Sequence, residues 1–171
     1  MNELESVGVA ELKTSNNSVV MASFGLGSCV AIAMFDPYKK VGGLAHVMLP
    51  ESRGKERERN PAKFADTAVR FLVDELVRRG ARLRNLRCKI VGGSQMFEIL
   101  GPGSRGDGSE ENPKPWHIGA RNVEAVKQAL KEMGVPLIGE DTGGNYGRTV
   151  RFNTSTGEVE VSSINHGRTV I

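Results

Sequence analysis

The feature that most limits the possible folds is the apolar run Val30-Ala31-Ile32-Ala33-Met34-Phe35. The chain enters it through Ser23-Phe24-Gly25-Leu26-Gly27-Ser28-Cys29 and leaves it through Asp36-Pro37-Tyr38-Lys39-Lys40. The run reads as a strand, and so do residues 41–49, which Pro50 ends. Asp-Pro followed by two lysines is a turn signal, because proline fixes φ and aspartate can bond the following backbone. Paired antiparallel through that turn, Cys29 and His46 share the residue-number sum of Met34 and Val41, which flank it. The hairpin therefore predicts thiol and imidazole on neighbouring rungs, where directly opposed Cβ atoms lie about 4.5–5.5 Å apart. A bulge at Gly42-Gly43 would shift that register by one.

This placement gives Cys29 a chemical meaning. Gly25 and Gly27 tolerate φ > 0, and a turn of that kind can aim successive N–H groups at one point. A thiol beside such donors has a nucleophile and hydrogen bonds for an oxyanion; His46 supplies the proton carrier. Cys88, between Arg87 and Lys89 in an alternating strand, reads instead as a small buried hydrophobe. His117 and His166 lack comparable context and read as surface or packing residues. No HxH or CxxC spacing points to a metal, and none is expected. Val30 stands where a third glycine would complete a dinucleotide fingerprint, so no cofactor is expected either.

With 171 residues, the chain is expected to form one domain over 1–171. A net charge of +3, interleaved charges and 5% aromatic residues argue against a nucleic-acid binder. The two cysteines have no short-spaced partner, and neither a leader-like start nor an apolar stretch approaching ~20 residues is found. The reading is a cytoplasmic protein, not membrane-embedded, with reduced thiols.

Strands are expected near residues 7–12, 19–22, 86–91, 137–141, 148–152 and 158–162, the last two joined by a turn at 154–157. Asn60 and Pro61 are expected to open a helix with an Ala65, Ala68, Leu72 and Leu76 stripe that Gly80 ends. A second helix is expected over 119–133, and Ser94 is expected to cap a short one over 95–100. Residues 51–59 form a charged loop that leaves from the His46 strand, and 101–115 an exposed Gly/Pro/Ser-rich loop. Residues 141–148 read as a turn, with Asn145 and Tyr146 as an exposed wall of a substrate cleft. Strands outnumber helices and hairpins outnumber crossovers, which predicts an α+β fold of packed mixed or antiparallel sheets with flanking helices.

At these residues the sequence resembles the CheD family of chemoreceptor glutamine deamidases. The resemblance runs through Gly25-Leu26-Gly27-Ser28-Cys29-Val30, Asp36-Pro37, Gly42-Gly43-Leu44-Ala45-His46-Val47-Met48-Leu49-Pro50 and Lys63-Phe64-Ala65-Asp66-Thr67-Ala68. It continues through Lys89-Ile90-Val91-Gly92-Gly93-Ser94-Gln95-Met96-Phe97, Ile118-Gly119-Ala120-Arg121-Asn122-Val123 and the segment from Gly139 to Arg148. It implies two packed sheets with flanking helices, similar to the catalytic domain of cytotoxic necrotizing toxins. It also implies a Cys-His-Thr set, in which Cys29 and His46 match and Ser23 replaces the threonine.

The activity implied is conversion of receptor glutamines to glutamate with release of ammonia. Cys29 would attack, His46 would move protons, and Ser23 would orient the imidazole. Gly27, Ser28, Gly43, Asn145 and Tyr146 would line the substrate. The partners implied are cytoplasmic helices of methyl-accepting chemotaxis receptors and a CheC-type phosphatase. The alternatives are a non-catalytic regulatory partner of that phosphatase, or a receptor methylesterase using the same thiol.

Overall fold

The computed structural model describes residues 3–52, 59–96 and 117–171. The first five strands are β1 (Glu3–Ser6), β2 (Leu12–Ser15), β3 (Val19–Leu26), β4 (Val30–Asp36) and β5 (Val41–Val47). Helix α1 (Ala65–Arg78), β6 (Arg87–Gly92), helix α2 (Ile118–Met133) and β7 (Leu137–Thr142) follow. The chain finishes with β8 (Arg148–Asn153), β9 (Val159–Ser163) and β10 (Gly167–Val170). One sheet runs β1-β3-β8-β9-β10 and the other β2-β5-β4-β6-β7. Both are mixed, since β1 with β3 and β6 with β7 are parallel while the other neighbours are antiparallel.

The apolar run at β4 is explained by what covers it. Every residue of β4 and β5 is buried, as expected for strands packed on both faces. Val30, Ile32 and Met34 face a core shared with Leu72, Val73 and Leu76 of α1 and with Val126 and Leu130 of α2. Ala31, Ala33 and Phe35 face the other way, into a core with Met21, Val150, Phe152 and Val161 of the first sheet. The molecule is thus layered as sheet, sheet and helices, an α+β arrangement. Among the described residues no helix is long and apolar enough to cross a membrane.

The β4–β5 hairpin forms, but in a different register. Asp36 pairs with Val41, Met34 with Gly43 and Ala31 with His46, two residues away from the expected pairing. The reason is the turn. Asp36 stays in the strand, its carboxylate accepts the N–H groups of Tyr38 and Lys39, and its carbonyl accepts that of Lys40. Only residues 37–40 are left for the loop. A shift of one would have turned His46 to the other face; a shift of two keeps it on the same face as Cys29. No bulge occurs at Gly42-Gly43.

Other boundaries move for local reasons. The strand expected near 7–12 does not form: residues 7–11 are the loop between β1 and β2, which turns at Ala10 with φ 60°. Asn60 makes no side-chain cap; Pro61 starts a separate 3-10 turn, Pro61–Lys63, and α1 begins after Phe64 in extended conformation. Gln95 and Met96 are not helical, Ser94 is buried rather than capping, and the remainder of the expected 95–100 helix lies outside the described residues. Most of the charged 51–59 loop and the whole 101–115 loop also lie outside them. Strand β10, which pairs with β9 as an edge, was not expected.

Candidate active site

Three elements deliver the expected set to the layer between the sheets. Ser23 projects from β3 on the same face as Met21, His46 projects from β5 on the same face as Leu44, and Cys29 packs against that inter-sheet core. Ser23 and His46 are buried at 0% and 3% exposure, whereas Cys29 is half-buried. Because Ala31 is opposite His46, Cys29 stands diagonally from it on one face. Diagonal neighbours in a regular ladder are about 7–8 Å apart, within reach of long side chains.

The bend that presents Cys29 is a β-bulge. Ser23 pairs with Val150 and Leu26 with Arg148, so three steps on β3 match two on β8. Gly25 takes the left-handed conformation there, with φ 63°. Gly27 does not; a Cβ on it would lie 3.2 Å from Met96 Cγ, so its smallness serves close packing. On the far side of Cys29, its carbonyl accepts the Gly93 N–H at 2.8 Å. A Cβ on Gly92 would stand 2.3 Å from that same carbonyl oxygen, so β6 can approach only without a side chain.

The seat of His46 comes from the loop joining β1 and β2. Its backbone N–H donates to Glu11 O and its carbonyl accepts the Ala10 N–H. The ring Nδ1 lies 3.3 Å from Val7 O. A carbonyl can only accept, so Nδ1 carries the hydrogen and Nε2 keeps its lone pair. Nε2 is buried and has no hydrogen-bond partner among the described residues. Ser23 Oγ donates to the same Val7 carbonyl at 2.7 Å. Ser23, expected to orient the imidazole, thus meets it at a shared acceptor: both groups bond the backbone carbonyl of Val7. Val7 contributes a backbone carbonyl, for which the side-chain sequence carries no signal.

Burial lowers the His46 pKa below its ordinary 6.5, against the opposing Val7 carbonyl and the negative charge of Glu11. Burial raises the Cys29 thiol above its ordinary 9.0, against the pull of its own N–H. Both shifts favour a thiol and a neutral imidazole over an ion pair. Cys88 is fully buried among the helix-facing residues, and burial pushes its thiol up much further.

The remaining expected residues divide. Ser28 and Gly27 precede Cys29; their carbonyls accept from Asn122 Nδ2 and the Ser94 N–H respectively. Gly43 is not a cleft wall. It is buried in mid-strand, where a Cβ would lie 2.8 Å from both Leu72 Cδ1 and Thr14 Cγ2, because α1 packs directly on the strand backbone. Exposed Asn145 and half-buried Tyr146 line a surface cavity of about 620 Å³ that also borders Gly25 and Ile164; neither Cys29 nor His46 lines it.

Arg148 builds that wall. Buried to 2% exposure, it donates to Asp141 Oδ1, Ser94 Oγ, Gly143 O and Tyr146 Oη. Tyr146 is held between this guanidinium and the stacked ring of His166, at 4.3 Å and 3.7 Å. Among the described residues, no group of three or more His, Cys, Asp or Glu converges as a metal site.

Comparison with known proteins adds the family. The family described as CheD chemotactic sensory transduction matches residues 48–163. A probable chemoreceptor glutamine deamidase CheD of Desulfitobacterium hafniense is 45% identical over all 171 residues, covering 100% of both chains. The chain belongs to the CheD family. The chemoreceptor glutamine deamidase CheD of Thermotoga maritima is 47% identical over 161 residues, 94% of this chain and 92% of its own. The family match begins after Cys29 and His46, but the Desulfitobacterium CheD spans both positions. Among solved structures, the chain is similar to YfiH of Bacillus licheniformis, with 15% identity over 76% of this chain and a TM-score of 0.48. It is also similar to YlmD of Geobacillus stearothermophilus, with 18% identity over 77% and a TM-score of 0.46. It spans about half the length of those two proteins, 49% and 50%.

Proposed function

We propose that this CheD protein is a cytoplasmic, cysteine-dependent chemoreceptor glutamine deamidase. The observation that carries the reading is the buried imidazole whose Nδ1 is committed to Val7 O while Nε2 has no partner among the described residues, on the same sheet face as a half-buried thiol. Nε2 takes the thiol proton as sulfur attacks the side-chain carboxamide carbon of a receptor glutamine. The oxyanion is received by backbone N–H groups around Gly27–Cys29, and the imidazolium gives its proton to the departing ammonia. Nε2 then deprotonates the water that attacks the thioester, and glutamate leaves as the thiol is restored. Net, one water is consumed and one ammonia released.

The names of the CheD relatives support the substrate class. Exposed Phe24, Met48 and Met96, on segments next to the site, support docking of a receptor helix. A CheC-type phosphatase would compete for the same face. The test is purified protein with a receptor cytoplasmic fragment, read by ammonia release and by mass at glutamine-containing peptides. Turnover that is lost in Cys29→Ala supports the reading. Absence of turnover in the unmodified chain, with binding to receptor or phosphatase intact, would favour the non-catalytic partner role.

A further inference from the structure

The hydrogen-bonded ladder of β4 and β5 reaches Val30 and Val47 and stops. Immediately beyond, a side chain from a different layer enters. Asn122 of α2 is wholly buried, and its Nδ2 donates both hydrogens, to Ser28 O at 2.9 Å and to Met48 O at 3.0 Å. One carbonyl belongs to the peptide that ends in the Cys29 nitrogen; the other lies two residues past His46. Asn122 Oδ1 is buried with no partner among the described residues. Leucine there would free the protein of the unpartnered Oδ1 but would take the donor from both carbonyls, so the amide does more than fill space.

We propose that Asn122 is a positioning residue, one that holds the Ser28–Cys29 peptide so that the Cys29 N–H faces its own sulfur and the developing oxyanion. The peptide unit is planar, with C=O and N–H pointing in opposite directions. Fixing Ser28 O toward α2 therefore fixes the Cys29 N–H away from it. The next carbonyl, Cys29 O, is anchored separately by Gly93, so the nucleophile is held on both sides. The second hydrogen, on Met48 O, ties the end of the His46 strand to the same point. The kinetic part of this inference rests on the deamidase reading; the thiol part does not.

The test uses the full chain carrying Asn122→Leu, Asn122→Ser, or the reference change Leu72→Ala, a core truncation on α1. Iodoacetamide alkylation at Cys29 is followed against pH by peptide mass, alongside ammonia release from a receptor fragment. In Asn122→Leu the alkylation midpoint should move to higher pH, and kcat should fall about 10–100-fold with KM within about twofold. Asn122→Ser, which keeps one donor, should lie between Asn122→Leu and the unmodified chain, and Leu72→Ala should leave the alkylation profile in place. A folded Asn122→Leu with unmodified alkylation and kcat overturns the proposal. Should that variant not fold, an unmodified profile in Asn122→Ser overturns it equally. Should the unmodified chain release no ammonia, the deamidase reading fails while the alkylation series still decides the role of Asn122.

Discussion

At the scale of single residues, the decisive atom is the Val7 carbonyl oxygen, which accepts from both His46 and Ser23. Among the described residues, the hydroxyl and the ring share that oxygen as acceptor, so any influence of Ser23 on His46 is expected to run through it. Ser23→Ala should therefore lower kcat by less than about tenfold and cost about 1 kcal/mol, the usual worth of one hydrogen bond. Steady-state kinetics would check it; a loss as deep as that of Cys29→Ala would mean that the hydroxyl is needed directly. Titration gives a second expectation. His46 must be neutral to act as base, and burial lowers its pKa below the ordinary 6.5, so the acidic limb of kcat/KM should lie below that value. The same depression makes stability full above 6.5 and progressively lost as pH falls through the folded-state pKa. An acidic limb above 6.5 in the pH–rate profile would contradict the burial seen here.

At the scale of elements, the site depends on where β6 ends. Gly92 has φ 116° and no room for a Cβ beside Cys29 O. Gly92→Ala should cost about 2–4 kcal/mol in urea denaturation, from an unfavourable φ and a backbone clash together. It should also depress kcat more than KM, because the atom displaced belongs to Cys29, the proposed nucleophile. Equal stability and activity in that variant would show that β6 does not brace Cys29. The turn at residues 37–40 makes a related point. The Asp-Pro signal and both flanking strands were legible in the sequence, but whether Asp36 belonged to strand or loop was not. That choice depended on hydrogen bonds from Tyr38, Lys39 and Arg82 to one carboxylate, the last from a segment far along the chain.

At the scale of the whole molecule, three large apolar side chains are exposed on segments close in the chain or in space to Ser23, His46 and Gly27. Phe24, Met48 and Met96 are 51%, 40% and 43% exposed. Replacing them with glutamate should raise KM for a receptor fragment several-fold while leaving kcat nearly unchanged, the pattern of lost uniform binding. A fall in kcat instead would place these side chains in the chemistry. The sequence by itself determined the α+β class, most of the strands and the two long helices, and it singled out Cys29 and His46 as the candidate pair. These rest on periodicity, turn chemistry and side-chain reactivity within a short stretch of chain. Only the tertiary structure decided that Val7 seats the imidazole, that Asn122 enters from α2 onto the Ser28 carbonyl, and that Gly43 packs beneath Leu72. Each of these is a contact between segments distant in sequence, or a backbone carbonyl that every residue carries, and neither leaves a pattern in the order of side chains.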